Sequence, residues 1–210
     1  MAKRVVDDSS LTAVADAIRA RTGTTEAMVF PDGFVNAVEG IPNDLELRLM
    51  DALVEVNTGA ATVIKEYSFC KTTSLKKVIA PNVQETKGQS FLESGVASVE
   101  FPVAWSFGAS SFNSCKSLKR GDFPLLRQIG TSVFQNSNLD TLILRNTTQI
   151  CVLSNANALA NTPIANGSGY IYVHRVFLSD TDSSKDYRRA TNWSAYQFRA
   201  IEDYPEICGG

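Results

Sequence analysis

The sequence predicts an α+β repeat protein: a solenoid of four to six stacked units, with short N-terminal helices and a small C-terminal cap. Three observations predict it. Phenylalanine recurs every 21 or 22 residues, two aliphatic positions recur in phase behind it, and proline closes three of the units. The chain has 210 residues, enough to bury a core without metal or disulfide staples. Its 44% hydrophobic and 20% charged content is ordinary for a globular protein.

The repeat is read position by position. Phe69, Phe91, Phe112 and Phe134 are spaced by 22, 21 and 22 residues and follow Ser68, Ser90, Ser111 and Val133. Leu75, Val96, Leu118 and Leu139 come next, with gaps of 21, 22 and 21. Three residues further on stand Val78, Val99, Gly121 and Leu142, and Pro81, Pro102 and Pro124 close their units. The segments 75–79, 96–101 and 139–144 are short and rich in branched apolar residues, so each reads as a strand. The half of each unit that carries the phenylalanine is rich in Ser, Asn and Gly, which suits a turn or 3₁₀ segment with its ring pointing inward. One strand per unit at this period describes a leucine-rich-repeat solenoid, in which each layer buries its apolar face on its neighbours. The predicted repeat core is therefore Phe69, Leu75, Val78, Phe91, Val96, Val99, Phe112, Leu118, Phe134, Leu139 and Leu142. A leading unit is expected over 53–64, and a degenerate last one over 159–173, with a Gly-Ser-Gly insertion at 167–169.

The segments 68–78 (Ser-Phe-Cys-Lys-Thr-Thr-Ser-Leu-Lys-Lys-Val) and 111–120 (Ser-Phe-Asn-Ser-Cys-Lys-Ser-Leu-Lys-Arg) resemble the BspA-type leucine-rich repeat. Gln128-Ile129-Gly130-Thr131-Ser132-Val133-Phe134 is similar to the usual lead-in of that repeat. The unit from Ser90 to Pro102 departs from it, with Leu92-Glu93-Ser94-Gly95 where Cys and Leu are usual. The segments 11–23 and 30–38, together with 158–164, 170–173 and 190–194, resemble the leader and closure of tail-associated proteins of phages and prophages of Gram-positive bacteria.

Three regions follow: a helical leader at 1–42, a solenoid at 43–178, and a cap and tail at 179–210. In the leader, Leu11, Val14, Ala15 and Ile18 share one helical stripe, with Ser10 as N-cap and Gly23 as stop. A second short helix puts Phe34, Ala37, Val38 and Ile41 on one face before Pro42. Val14, Ile18, Phe34, Val38 and Ile41 form the candidate assembly surface, serving either as contacts to other proteins or as a lid on the first repeat. Residues 43–56 fit either a helix or the entry to a first strand. Tyr187, Trp193, Tyr196 and Phe198 supply aromatic bulk for the cap.

The charge excludes more than it assigns. A formal net charge of -2 argues against nucleic-acid binding, and no apolar run is long enough for membrane insertion. Two acids follow the first two valines, which does not suit a signal peptide. Cys70, Cys115, Cys151 and Cys208 form no C-x-x-C pair and are expected to be free thiols. His174 is the single histidine, and no motif marks a nucleophile for it. Asp180, Asp182 and Asp186 lack the calcium-loop pattern and read as helix caps, and Lys76, Lys77, Lys119 and Arg120 form at most a small basic patch. No cofactor, metal or catalytic residue is expected. The resemblance implies a non-enzymatic phage or prophage virion structural protein, tail- or fibre-associated and made in the host cytoplasm. Its leader would contact other virion proteins, it would be homo-oligomeric or multi-copy, and its repeats would meet a host-surface protein or glycan. Alternatives are a capsid-decorating or head-fibre protein, a bacterial adhesin-type interaction protein and, last, a cell-wall hydrolase.

Overall fold

A computed structural model describes residues 53–208. The predicted leader helices, with Val14, Ile18, Phe34, Val38 and Ile41, lie outside the described residues.

The chain winds through short parallel strands. In order they are β1 (Glu55–Asn57), β2 (Val63–Ile64), β3 (Lys77–Ile79), β4 (Glu85–Thr86), β5 (Ser98–Glu100) and β6 (Ser106–Phe107). Next come β7 (Arg120–Phe123), β8 (Gln128–Ile129), β9 (Thr141–Leu144), β10 (Val152–Leu153), β11 (Tyr170–Val173) and β12 (Phe198–Ala200). Odd-numbered strands stack into the first ladder, which is split into a sheet β1-β3-β5 and a sheet β7-β9-β11-β12. Even-numbered strands up to β10 form a second, uninterrupted ladder of five. All pairings are parallel, and registers such as Val56↔Val78 and Val78↔Val99 stack equivalent repeat positions.

Each turn thus carries two strands where the sequence predicts one. The second strands escape the pattern because each is two residues long and only its second side chain is buried, so no alternation develops. The predicted strands are present but shorter: 75–79 contains β3, 96–101 contains β5 and 139–144 contains β9.

The third side of each turn carries the phenylalanine. Its backbone also bonds layer to layer: Phe69, Phe91, Phe112 and Phe134 donate their N–H groups to the carbonyls of Ser90, Ser111, Val133 and Ala158 at 2.7–3.0 Å. Residues two before and two after each phenylalanine take positive φ, as at Gln89 (55°), Glu93 (58°), Ser110 (57°) and Ser114 (59°). A non-glycine residue there costs ~1–2 kcal/mol. The same residues recover an inter-turn hydrogen bond, for example Glu93 N–H to Asn113 O at 2.9 Å and Ser114 N–H to Gln135 O at 2.8 Å.

The four rings form one stack inside the solenoid. Centroids of Phe69–Phe91, Phe91–Phe112 and Phe112–Phe134 are 5.1, 4.9 and 5.6 Å apart, with rings within 12° of parallel. Layers spaced by ~4.8 Å bring equivalent rings to that separation. Phe101 and Phe107 meet this stack edge-on, as in Phe107–Phe112 at 5.3 Å, and Phe123 lies edge-on to Phe107 and within 22° of parallel to Phe134.

The last turn is closed by the segment that follows it. A 3₁₀ turn at Arg175–Leu178 leads to Tyr187 and Trp193, both buried, and the chain then returns as β12 beside β11. The ladder therefore reaches beyond residue 178. A 3₁₀ turn at Ile201–Asp203 and a single helical turn, α1 (Pro205–Cys208), end the described chain.

Candidate binding surface

The registers put the side chains of Ile79, Glu100, Asp122, Ile143, Tyr172 and Arg199 on the outward face of the first ladder. This face has two halves. Over β9, β11 and β12 it is covered: Ile143 and Tyr172 are buried with Ile201 and Ile207 of the tail, and Tyr204 packs edge-on against Tyr172 at 5.2 Å. Over β3 and β5 it is open, as a groove of about 320 Å³ with Ile79, Pro81, Val99, Pro102, Pro124 and Arg145 along its walls.

A defect in the ladder shapes the groove. No strand pairing joins β5 to β7. At the core position held elsewhere by Val78, Val99 and Leu142, β7 has Gly121, and the Phe123 ring occupies the vacated space. An added Cβ at Gly121 would come within 2.5 Å of that ring. Val99 borders this seam, so it is only half-buried, whereas the sequence places it in the core. The other predicted core residues, Phe69, Leu75, Val78, Phe91, Val96, Phe112, Leu118, Phe134, Leu139 and Leu142, are fully buried.

Ion pairs rim the groove. Lys77 Nζ lies 2.8 Å from Glu100 Oε1, and this bond raises the lysine pKa. Arg145 grips Asp122 with two bonds, from Nε at 2.7 Å and Nη2 at 2.8 Å, and the carboxylate raises the guanidinium pKa further. A forked pair of this kind fixes orientation as well as charge. Arg145 Nη2 also donates to the carbonyl of Ile207 at 2.7 Å, so one side chain joins groove to tail. Arg145 falls in phase with Pro81, Pro102 and Pro124, so the sequence marks its position only by the missing proline and gives no sign of its partners.

The remaining candidates have structural partners. His174 Nδ1 is 2.9 Å from Glu202 Oε1. Burial opposes ionisation of Glu202, but bonds from His174 and Arg175 hold its pKa below the ordinary value. Asp182 Oδ1 accepts the Ser184 N–H at 2.8 Å, and buried Asp186 bonds the Arg188 N–H and side chain. Among the described residues, no group of three or more His, Cys, Asp or Glu is placed to hold a metal ion. In the basic set, Lys77 pairs with Glu100, Arg120 with Asp122, and Lys76 Nζ bonds the Thr73 carbonyl, while Lys119 is exposed. All four cysteines are free thiols.

Comparison with known families agrees with this architecture. The BspA type leucine rich repeat region matches residues 54–161 in six copies. No curated protein matches the chain.

Proposed function

Because the chain belongs to the BspA-type leucine-rich repeat family, we propose that it is a non-enzymatic binding protein whose working surface is the outward face of its first strand ladder. Leucine-rich-repeat regions are in general binding scaffolds rather than catalysts. The observation that carries this reading is the groove beside the β5–β7 seam, where apolar Ile79 and Val99 and three prolines stand between the Lys77–Glu100 and Asp122–Arg145 pairs. A concave apolar strip with a charged rim is what a polypeptide or glycan partner requires.

The biological setting we propose is a phage or prophage virion, in a tail- or fibre-associated position, with residues 1–42 contacting other virion proteins and the repeats facing the host surface. The support is the likeness of segments 11–23 and 30–38, with 158–164, 170–173 and 190–194, to the leader and closure of such proteins, together with the apolar set Val14, Ile18, Phe34, Val38 and Ile41 in the leader sequence. Immunogold electron microscopy of particles released by producing cells tests the setting. Label on tails or fibres is expected. Label on capsids gives the head-fibre alternative. Recovery only with the envelopes of cells that release no particles overturns the virion assignment in favour of an adhesin. The surface is tested separately by Ile79→Asp, which should weaken adsorption to host cells without lowering the melting temperature.

A further inference from the structure

Residues 201–208 lie over the outward face of β9, β11 and β12 as a strap, held there by the side chains of Arg145, His174, Arg175, Tyr172 and Ile143 and by the Arg175 backbone N–H. Glu202 bonds His174 Nδ1 at 2.9 Å and the Arg175 N–H at 3.1 Å, and Asp203 pairs with the Arg175 guanidinium. Tyr204 packs on Tyr172, and the Arg199 guanidinium lies 3.3 Å from the Tyr170 ring centroid and 5.0 Å from that of Tyr204. Ile201 and Ile207 are buried against Ile143 and Tyr172, and Arg145 takes the Ile207 carbonyl at 2.7 Å.

The hold is specific but weak. Glu202, Asp203, Pro205, Glu206 and Cys208 are exposed, and exposed ion pairs contribute little in physiological salt. Only two strap side chains are fully buried. A segment with so few buried contacts belongs to the low end of local stability and opens without unfolding the solenoid. Its far end rests on Arg145, which also walls the open groove. Release of the strap would therefore leave one continuous outward face from β3 to β12.

We infer that this face is a peptide-docking cradle whose second occupant is the 201–208 strap of another copy of the chain. The segment demonstrated to fit the cradle is the chain's own: adjacent carboxylates, then tyrosine, then isoleucine. A copy that releases its strap offers both the cradle and the segment that fills it. Exchange between two copies is thus reciprocal and closes as a dimer with the same contacts. This extends the proposed binding reading to a self-association site and does not need the external ligand, so its failure leaves the Ile79→Asp adsorption test standing.

The test uses the full chain and a fluorescein-labelled peptide of sequence 200–208. In the unaltered chain the tethered strap acts at an effective concentration in the millimolar range and excludes the peptide. The double variant Glu202→Gln, Asp203→Asn loosens the strap with surface changes only. It should show faster amide exchange across 201–208 and bind the peptide at least tenfold more tightly than the unaltered chain. Unreactive Cys115 and Cys151 thiols verify that its core is intact. A peptide carrying the same two amides should bind neither chain. Light scattering of the unaltered chain should show a concentration-dependent dimer that diminishes in the double variant. Equal peptide binding by both chains, or unchanged exchange of 201–208, overturns the cradle. Peptide binding with a chain that stays monomeric at every concentration overturns the second copy as its occupant.

Discussion

The indole N–H of Trp193 donates to the backbone carbonyl of Cys151 at 2.7 Å. One layer earlier, the equivalent carbonyl of Arg127 receives the amide of Val152, so the indole replaces the strand that a further turn would have supplied. The Asn192 side chain does the same for Leu153 O at 2.8 Å, and the Tyr187 hydroxyl receives the Cys151 N–H at 2.6 Å. An open strand edge is a template for aggregation, and here side chains seal it.

Trp193→Phe should therefore cost more than a loss of area. The ring is kept, but the buried Cys151 carbonyl loses its donor, at about 1–3 kcal/mol. Urea melts should show that drop together with faster aggregation on standing. A stability change under about 0.5 kcal/mol, as for an ordinary surface substitution, would mean that the edge is sealed some other way.

The ring stack makes a second prediction. Phe112 lies between Phe91 and Phe134 with no exposed surface, so Phe112→Ala should cost about 3–5 kcal/mol. Repeat layers are stabilised by their neighbours, so the loss should also broaden the thermal transition. A sharp transition with less than about 1 kcal/mol lost would remove the stack as the central support.

Gly121 and Phe123 should be coupled. Gly121→Ala puts a Cβ against the buried Phe123 ring and should cost about 1–3 kcal/mol. In a Phe123→Leu background the same change should be nearly free. A double-mutant cycle with additive costs would contradict the exchange of volume between the two positions.

The buried thiols set an alkaline limit. Burial pushes the Cys115 thiol up to about 11, against a bond from Ser94, and raises Cys151 and Tyr187 as well. A folded-state pKa above the unfolded one favours folding below the unfolded value and loses that advantage as pH rises through the folded one. Stability should be flat to about pH 8.5 and then fall as unfolded thiols ionise. Cys115→Ala should flatten part of that slope. In the native protein at pH 8, exposed Cys208 should react first with a thiol reagent and half-buried Cys70 next, and all four should react after denaturation. Early reaction of Cys151 would contradict its burial.

The repeat phase, the ring stack and the aliphatic columns are legible in the sequence, because every layer imposes the same burial on the same position. Residues such as Leu75, Val96, Leu118 and Leu139 announce themselves by recurrence. Val99 shows the limit of that reading. Its residue type and phase are those of the core, yet the seam beside Gly121 leaves it on the wall of a groove. A missing Cβ in one layer alters the surface of the next, and only three-dimensional stacking brings those layers together.

The binding surface itself belongs to the tertiary structure. Trp193 seals a carbonyl 42 residues away, and Arg145 reaches a carbonyl 62 residues away. The first separation is twice 21, yet among the described residues neither the Trp193–Cys151 bond nor the Arg145–Ile207 bond recurs in another layer, so no period records the pairing. What the sequence determined alone was the layer, because burial energy is local to one repeat and its copies. Where the solenoid stops, which half of its outward face stays open and what lies across the other half were decided by single contacts between the last turns and the end of the chain, where geometry rather than composition selects the partner.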